Sequence, residues 1–208
     1  MKAWKGVHKK DNYPILLLVG ILFFCSSIYI TIHYVPQFET RIGFVPYDPF
    51  MVLLPAIDVS FWVFFILYGA IVFGAYYFIQ HPKLFLMILF SFGFMYWFRA
   101  ICITFVPLNE PTLLIPLKDP LIEKLGIYQQ FIKKDLFFSG HFASIFIPWL
   151  VIRKQQVRWV FLLCSIAIGL LVMIQHIHYS FDIFGAIVFS YLAVYCSTKI
   201  LERFISEG

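Results

Sequence analysis

Six stretches of the chain are apolar on every side: about Tyr13 to Ile32, Ser60 to Ile79, Leu84 to Val106, Leu136 to Ile152, Trp159 to Gln175 and Ile183 to Ile200. Each approaches the roughly 20 residues that a helix needs to cross the hydrocarbon core of a bilayer. Backbone groups in hydrocarbon must pair within their own segment or around a closed barrel. A barrel would show short alternating strands, whereas these runs are long and unbroken, so they predict helices. The expected fold class is all-α, a polytopic membrane protein built as a six-transmembrane-helix bundle. Two links, Gln80 to Lys83 and Arg153 to Arg158, are tight turns; two others, Val35 to Val59 and Pro107 to Asp135, are long loops holding eight of the eleven prolines. That proline content predicts ordered, non-helical caps over one end of the bundle. With no internal repeat, low-complexity tract or second domain, residues 1–208 read as one integral membrane domain with a short tail over 1–12. The first run has no small-residue cleavage site after it and reads as a retained anchor rather than a signal peptide.

Composition narrows the class further. At 62% hydrophobic and 13% charged, the chain is far from the roughly one quarter charged residues of soluble domains. The net charge of +5 would suggest nucleic acid if the basic residues formed a patch, but they lie in short segments between the apolar runs. One side collects ten: Lys2, Lys5, Lys9, Lys10, Lys83, Arg153, Lys154, Arg158, Lys199 and Arg203. The other side has Arg41, Lys118, Lys124, Lys133 and Lys134, diluted by Glu39, Asp48, Asp58, Glu110, Asp119, Glu123 and Asp135. The positive-inside rule then places both termini in the cytoplasm and the two long loops on the extracytoplasmic side. The expected environment is the lipid bilayer, and no nucleic-acid partner is expected. Cys25, Cys102, Cys164 and Cys196 all fall inside apolar runs without metal-ligand spacing, which predicts packing residues rather than a disulfide framework or a zinc site.

In so apolar a bundle the informative residues are polar ones near membrane depth, because each needs a partner or a function. Arg99 lies in the outer half of the third run, Ser139, Gly140 and His141 open the fourth, and His176, His178 and Asp182 separate the fifth from the sixth. The topology brings all of them to the long-loop end. If the sixth helix begins near His178, then His178 and Asp182, at i and i+4, share a face; the carboxylate accepts from one imidazole nitrogen and leaves the other free. Ser139-Gly140-His141 at a helix start offers a hydroxyl, a residue with no side chain to obstruct an anion, and the positive end of a helix dipole. His141 supplies a general acid, and the Arg99 fork matches phosphate oxygens. Together these make a phosphoryl-transfer site that calls for no metal and no cofactor.

Two motifs carry a family resemblance. Asp135-Leu136-Phe137-Phe138-Ser139-Gly140-His141 resembles the Asp-x-x-x-Ser-Gly-His motif of sphingomyelin synthases, and His176-Ile177-His178-Tyr179-Ser180-Phe181-Asp182 resembles their His-x-His-Tyr-Thr/Ser-x-Asp motif. Both motifs are at home in the wider type 2 phosphatidic acid phosphatase (PAP2) superfamily. The six-helix layout matches that group and the Arg99 to Pro107 stretch is similar to an upstream signature of it, so that the resemblance spans roughly the last five helices. It implies that His178 is a nucleophile forming a phosphohistidine, that Asp182 supports it, and that His141 protonates the leaving group. It implies as substrates a membrane phospholipid headgroup donor and a lipid alcohol of the ceramide or diacylglycerol type. The Lys-x6-Arg-Pro motif and the Ser-Arg pair of the lipid phosphatases are absent, which leans away from a doubly charged monoester and toward a singly charged phosphodiester. Lys118, Lys133 or Lys134, reaching in from the loop, would restore a monoester pocket.

Other readings compete for the same residues. Water as acceptor makes the protein a phosphatase or phospholipase. His141, His176, His178 and Asp182 are also potential metal or haem ligands, and a lipid scaffold or flippase-like protein would need none of them. Arg99 reads as a site residue or as a partner of Glu110. Ser139 or Asp135 reads equally as a plain helix cap, and His176 and Tyr179 as interfacial residues.

Overall fold

The structure, a computed structural model, describes residues 12–124 and 136–205, apart from the side chains of residues 122, 123 and 205. The N-terminal lysines 2, 5, 9 and 10, together with Lys133, Lys134 and Asp135, lie outside the described residues. In chain order the helices are α1 (Tyr13–Tyr34), continued by a 3-10 turn (Val35–Phe38), α2 (Pro49–Val52), α3 (Ser60–Ile79), α4 (Pro82–Phe105), α5 (Pro120–Lys124), α6 (Gly140–Val151), α7 (Gln155–Ile174) and α8 (Ser180–Ile205). The described residues contain no strand, only one isolated bridge between Phe44 and Leu108.

Five helices, α1, α3, α4, α7 and α8, are long and apolar enough to cross a membrane. The sixth expected span is shorter: α6 has 12 residues, or about 18 Å, where the apolar run suggested 17. The chain turns into α6 only at Ser139, extended at φ −61° and ψ 113°, whose hydroxyl accepts from the Phe142 N–H. Leu136 and Phe138, buried just ahead of it, pack across the bundle; the Phe138 ring stacks on Phe189 of α8 at 4.9 Å. Apolarity there reports burial, not helix. At the far end Ile152 is extended and the basic pair Arg153-Lys154 follows.

The short helix is the centre of the molecule. Eight of its twelve residues are buried, against α4, α7 and α8. Val63 and Phe64 of α3, Met95 of α4, Ile168 and Val172 of α7 and Ala186 of α8 belong to the same core. α1 stands outside it, packing chiefly on α4, with Tyr13 donating to the Pro82 carbonyl at 3.0 Å. The outward faces of α1, α3 and α8 carry Leu22, Phe65 and Val188, each about 60% exposed, as surfaces in contact with lipid would.

The described parts of the long loops are ordered caps, as their prolines predicted, although they include short helical turns opening at Pro49 and Pro120. Arg41 donates to the Ile103 and Thr104 carbonyls at 2.5 and 2.6 Å, placing a cation on the C-terminal end of α4. Phe44 and Asn109 exchange backbone bonds with their partners in the other loop. The Asn109 side chain joins both polar groups of Gly43.

Gln175, fully buried at the end of α7, ties three segments. Its carbonyl oxygen accepts from Val59 N at 3.2 Å, and its amide donates to Ser60 Oγ at 2.8 Å and to the Pro116 carbonyl at 3.3 Å. Asp58 accepts from both the hydroxyl and the N–H of Ser60. Those two bonds, followed by the Lys118 charge, hold its carboxyl below the usual range against the opposing effect of burial.

Replacing Gln175 by Ala strands the Val59 N–H and the Pro116 carbonyl. It is expected to lower stability by about 1–3 kcal/mol, read as a lower thermal midpoint in detergent. Gln37→Ala, an exposed control, should stay within about 0.5 kcal/mol of wild type. Equal midpoints for Gln175→Ala and wild type would show that the loops are held some other way.

Candidate active site

His178 and Asp182 are joined at 3.2 Å, Nδ1 of the imidazole donating to Oδ2 of the carboxylate. Both are buried, Asp182 completely. The contact is not made along a helix face, because α8 begins at Ser180, two residues after the histidine. Asp182 sits in the first turn and reaches back, its Oδ2 also accepting from Tyr179 N at 2.9 Å. An acidic residue bonding the N–H just ahead of its own helix is half of a capping box. One carboxylate thus caps α8 and orients the imidazole. Among the described residues this is the only hydrogen bond of His178, so Nε2 is left for another partner.

The second motif meets the first through the backbone. Ser139 N donates to the Asp182 carbonyl at 3.2 Å, and Ser139 Oγ caps Phe142 N at 3.5 Å. Ser139 is therefore engaged through both groups, which makes it a fully buried helix cap. His141, half-buried as the second residue of α6, brings its ring centroid to 6.2 Å from that of His178, with the planes at 61°. Phe64 of α3 lies edge-on to His141 at 6.4 Å.

Arg99, buried six residues before the end of α4, lies against the first residue of α6. A Cβ built on Gly140 would collide with Nη1 of Arg99 and fall 2.7 Å from its Cζ. Only glycine leaves room for the guanidinium at this helix N-terminus. The arginine fork, the positive end of a helix and two imidazoles, brought from three segments of the chain, therefore converge at the start of α6, a constellation suited to an anionic tetrahedral group.

Arg99, Ser139, Gly140, His141, His178 and Asp182 are all gathered at the long-loop end, as the topology suggested. His176 is not part of the cluster. It is buried, adopts a left-handed backbone at φ 56° and bonds the Leu54 carbonyl through Nε2 at 3.2 Å, pinning the first loop. Tyr179 likewise departs from the expected interfacial position. It is buried and donates to the Asn109 carbonyl at 3.0 Å. Burial, and then the charges of Asp182, Glu110 and Asp48, push its hydroxyl up to about 12, so it remains a donor at any physiological pH. Lys118, exposed beside Asp58, is tied through its N–H to Ser60 Oγ.

Sequence reasoning missed Asp48. Its Oδ1 accepts from Phe50 N and Met51 N, and its Oδ2 from Ser180 N at 2.6 Å. It thereby holds the first loop onto the start of α8, two residues from Asp182. The Asp48-Pro49 pair, a cap followed by a proline at the first helical position, was a local signal for a helix start, but nothing local linked it to Ser180.

Residues 134–199 match the family model described as PAP2 superfamily C-terminal. That interval contains Ser139, Gly140, His141, His178 and Asp182, and leaves Arg99 outside it. No curated protein and no solved structure matches the chain.

Gly140→Ala must displace Arg99, whose flexible end can move without unfolding the bundle. Binding of inorganic phosphate, followed by calorimetry, is expected to weaken at least about tenfold, with the thermal midpoint little changed. Undiminished binding would mean that Arg99 and the α6 N-terminus do not share an anion.

Proposed function

We propose that this protein is a membrane lipid phosphotransferase that moves a phospholipid headgroup onto a lipid alcohol through a phosphohistidine. The observation that carries the reading is the buried His178–Asp182 pair facing His141 beside Arg99 and Gly140. The match of residues 134–199 to the PAP2 superfamily model supports phosphoryl chemistry on lipids. The His-x-His-Tyr-Ser-x-Asp and Ser-Gly-His motifs favour the branch that resembles sphingomyelin synthases.

In the first half-reaction His178 Nε2 attacks the phosphorus of a phosphodiester. The N–P bond forms, the P–O bond to the diacylglycerol-type leaving group breaks, and His141 gives that oxygen its proton. Asp182 holds Nδ1–H and stabilises the positive charge that develops on the ring. Arg99 and the open end of α6 at Gly140 take the charge on the phosphoryl oxygens. In the second half-reaction an acceptor hydroxyl loses its proton to His141 and attacks phosphorus, and the N–P bond breaks.

The acceptor decides the reaction class. A lipid alcohol of the ceramide or diacylglycerol type makes the protein a transferase; water makes it a phosphatase or phospholipase, the alternative reading that the PAP2 match keeps in view. The burial of His178, Asp182 and Ser139 favours the lipid, because an enclosed phosphohistidine is shielded from hydrolysis. By the positive-inside argument the site faces the extracytoplasmic side and both termini are cytoplasmic.

The test uses purified protein in vesicles with headgroup-labelled phospholipids, with and without added ceramide or diacylglycerol. Label should move to the added lipid, and His178→Ala should abolish transfer. Asp182→Asn should slow it by about 10²–10⁴. Label released only as a water-soluble product, still dependent on His178, would establish the hydrolase. An active His178→Ala protein would refute the site.

A further inference from the structure

A cavity of about 1040 Å³ opens on the side of the bundle between α3, α7 and α5. It runs beside α3 from Phe61 to Tyr76, about 22 Å along the helix, and so crosses most of the roughly 30 Å hydrocarbon layer. Its lining is mostly apolar, with Lys124 at the long-loop end as the charged residue and the hydroxyls of Tyr68 and Tyr76 as further polar groups; the Tyr68 hydroxyl donates to Asp119. Gly69 forms part of its wall, and a Cβ there would meet nothing within 4 Å. Phe64 belongs both to this wall and to the site, where its ring stands against His141.

We propose that this groove holds an acyl chain of the donor phospholipid, with Lys124 facing its headgroup phosphate. The inference rests on the function proposed above. Three features select this occupant. The groove is as long as a chain lying in its own leaflet and beyond, so a headgroup alone does not fill it. Its charged lining residue is a cation at the end where the phosphate must sit. Phe64 both lines the groove and stands against His141, so a lipid seated there lies beside the histidine-bearing end of the bundle. A chain bound in a concave wall rather than on a flat helix face trades loose lipid contacts for fixed ones, and its binding energy can position the scissile bond.

Gly69→Trp fills the groove with a side chain that has room to enter it, and Val188→Trp adds the same ring to an exposed face of α8. Both are compared with wild type on headgroup-labelled phosphatidylcholine carrying oleoyl or hexanoyl chains. Gly69→Trp is expected to lower the ratio of long-chain to short-chain kcat/KM by about tenfold, the effect of leaving about two methylene groups unburied. Val188→Trp should not change that ratio. An unchanged ratio in Gly69→Trp overturns the proposal.

Cross-linking reads the groove without turnover. A phosphatidylcholine with a diazirine in its acyl chain should label the α3 and α7 segments lining the groove. Gly69→Trp should reduce that labelling about fivefold relative to the other lipid-facing helices. Labelling spread evenly over α1, α3, α7 and α8 and insensitive to Gly69→Trp also overturns it. Were turnover independent of His178 while groove labelling persisted, the catalytic reading alone would fall.

Discussion

A carboxylate taken out of water has to be met by donors, and Asp182, fully buried in the first turn of α8, meets two, from Tyr179 N and His178 Nδ1. Its own carbonyl accepts from Ser139 N. One residue therefore closes the helix start, fixes the imidazole and joins the two histidine-bearing segments. Its other oxygen, Oδ1, is buried without a hydrogen-bond partner among the described residues. This leaves the compensation of the charge to the two bonds on Oδ2 and makes the position of His178 strongly determined.

The rest of the long-loop end is arranged around the same need. An apolar bundle offers no water to the ends of its helices, so buried polar groups there are paired by side chains that reach between segments. Asp48 serves both α2 and α8, Gln175 serves the end of the first loop and Pro116 of the second, and Arg41 serves the end of α4. His176 and Tyr179 fasten the turn between α7 and α8 to the two loops on either side. A stiff cap of this kind keeps two imidazoles at fixed separation in a region that would otherwise be irregular backbone. It also leaves α6, a short helix enclosed on most sides, with its N-terminus aimed into the cap and Arg99 seated where Gly140 has no side chain. Phe64 then connects that polar end to an apolar groove open to the side.

The long apolar runs were legible in the sequence because a span exposed to lipid has one requirement, apolarity over enough residues. Ser60–Ile79 agrees with its run residue for residue. The histidine motifs were legible for the complementary reason, since polar residues at membrane depth stand out against such a background. The run at Leu136 misled about helix length because a buried extended segment and a buried helix have the same composition. His176 and Tyr179 read as interfacial because the sequence cannot show that a loop folds over them.

By itself, then, the sequence determined an all-helical membrane architecture, the end of the bundle at which Arg99, His141, His178 and Asp182 belong, and the residue types that suit phosphoryl transfer. These follow from local quantities: hydropathy, the rise of a helix and charge between spans. The tertiary structure decided that α6 is short and central and that Asp182 reaches His178 from inside a turn. It also decided that Gly140 makes room for Arg99 and that a groove runs from Phe64 along α3. Each of these depends on contacts between residues tens of positions apart, whose distances are set by packing and are absent from any local pattern.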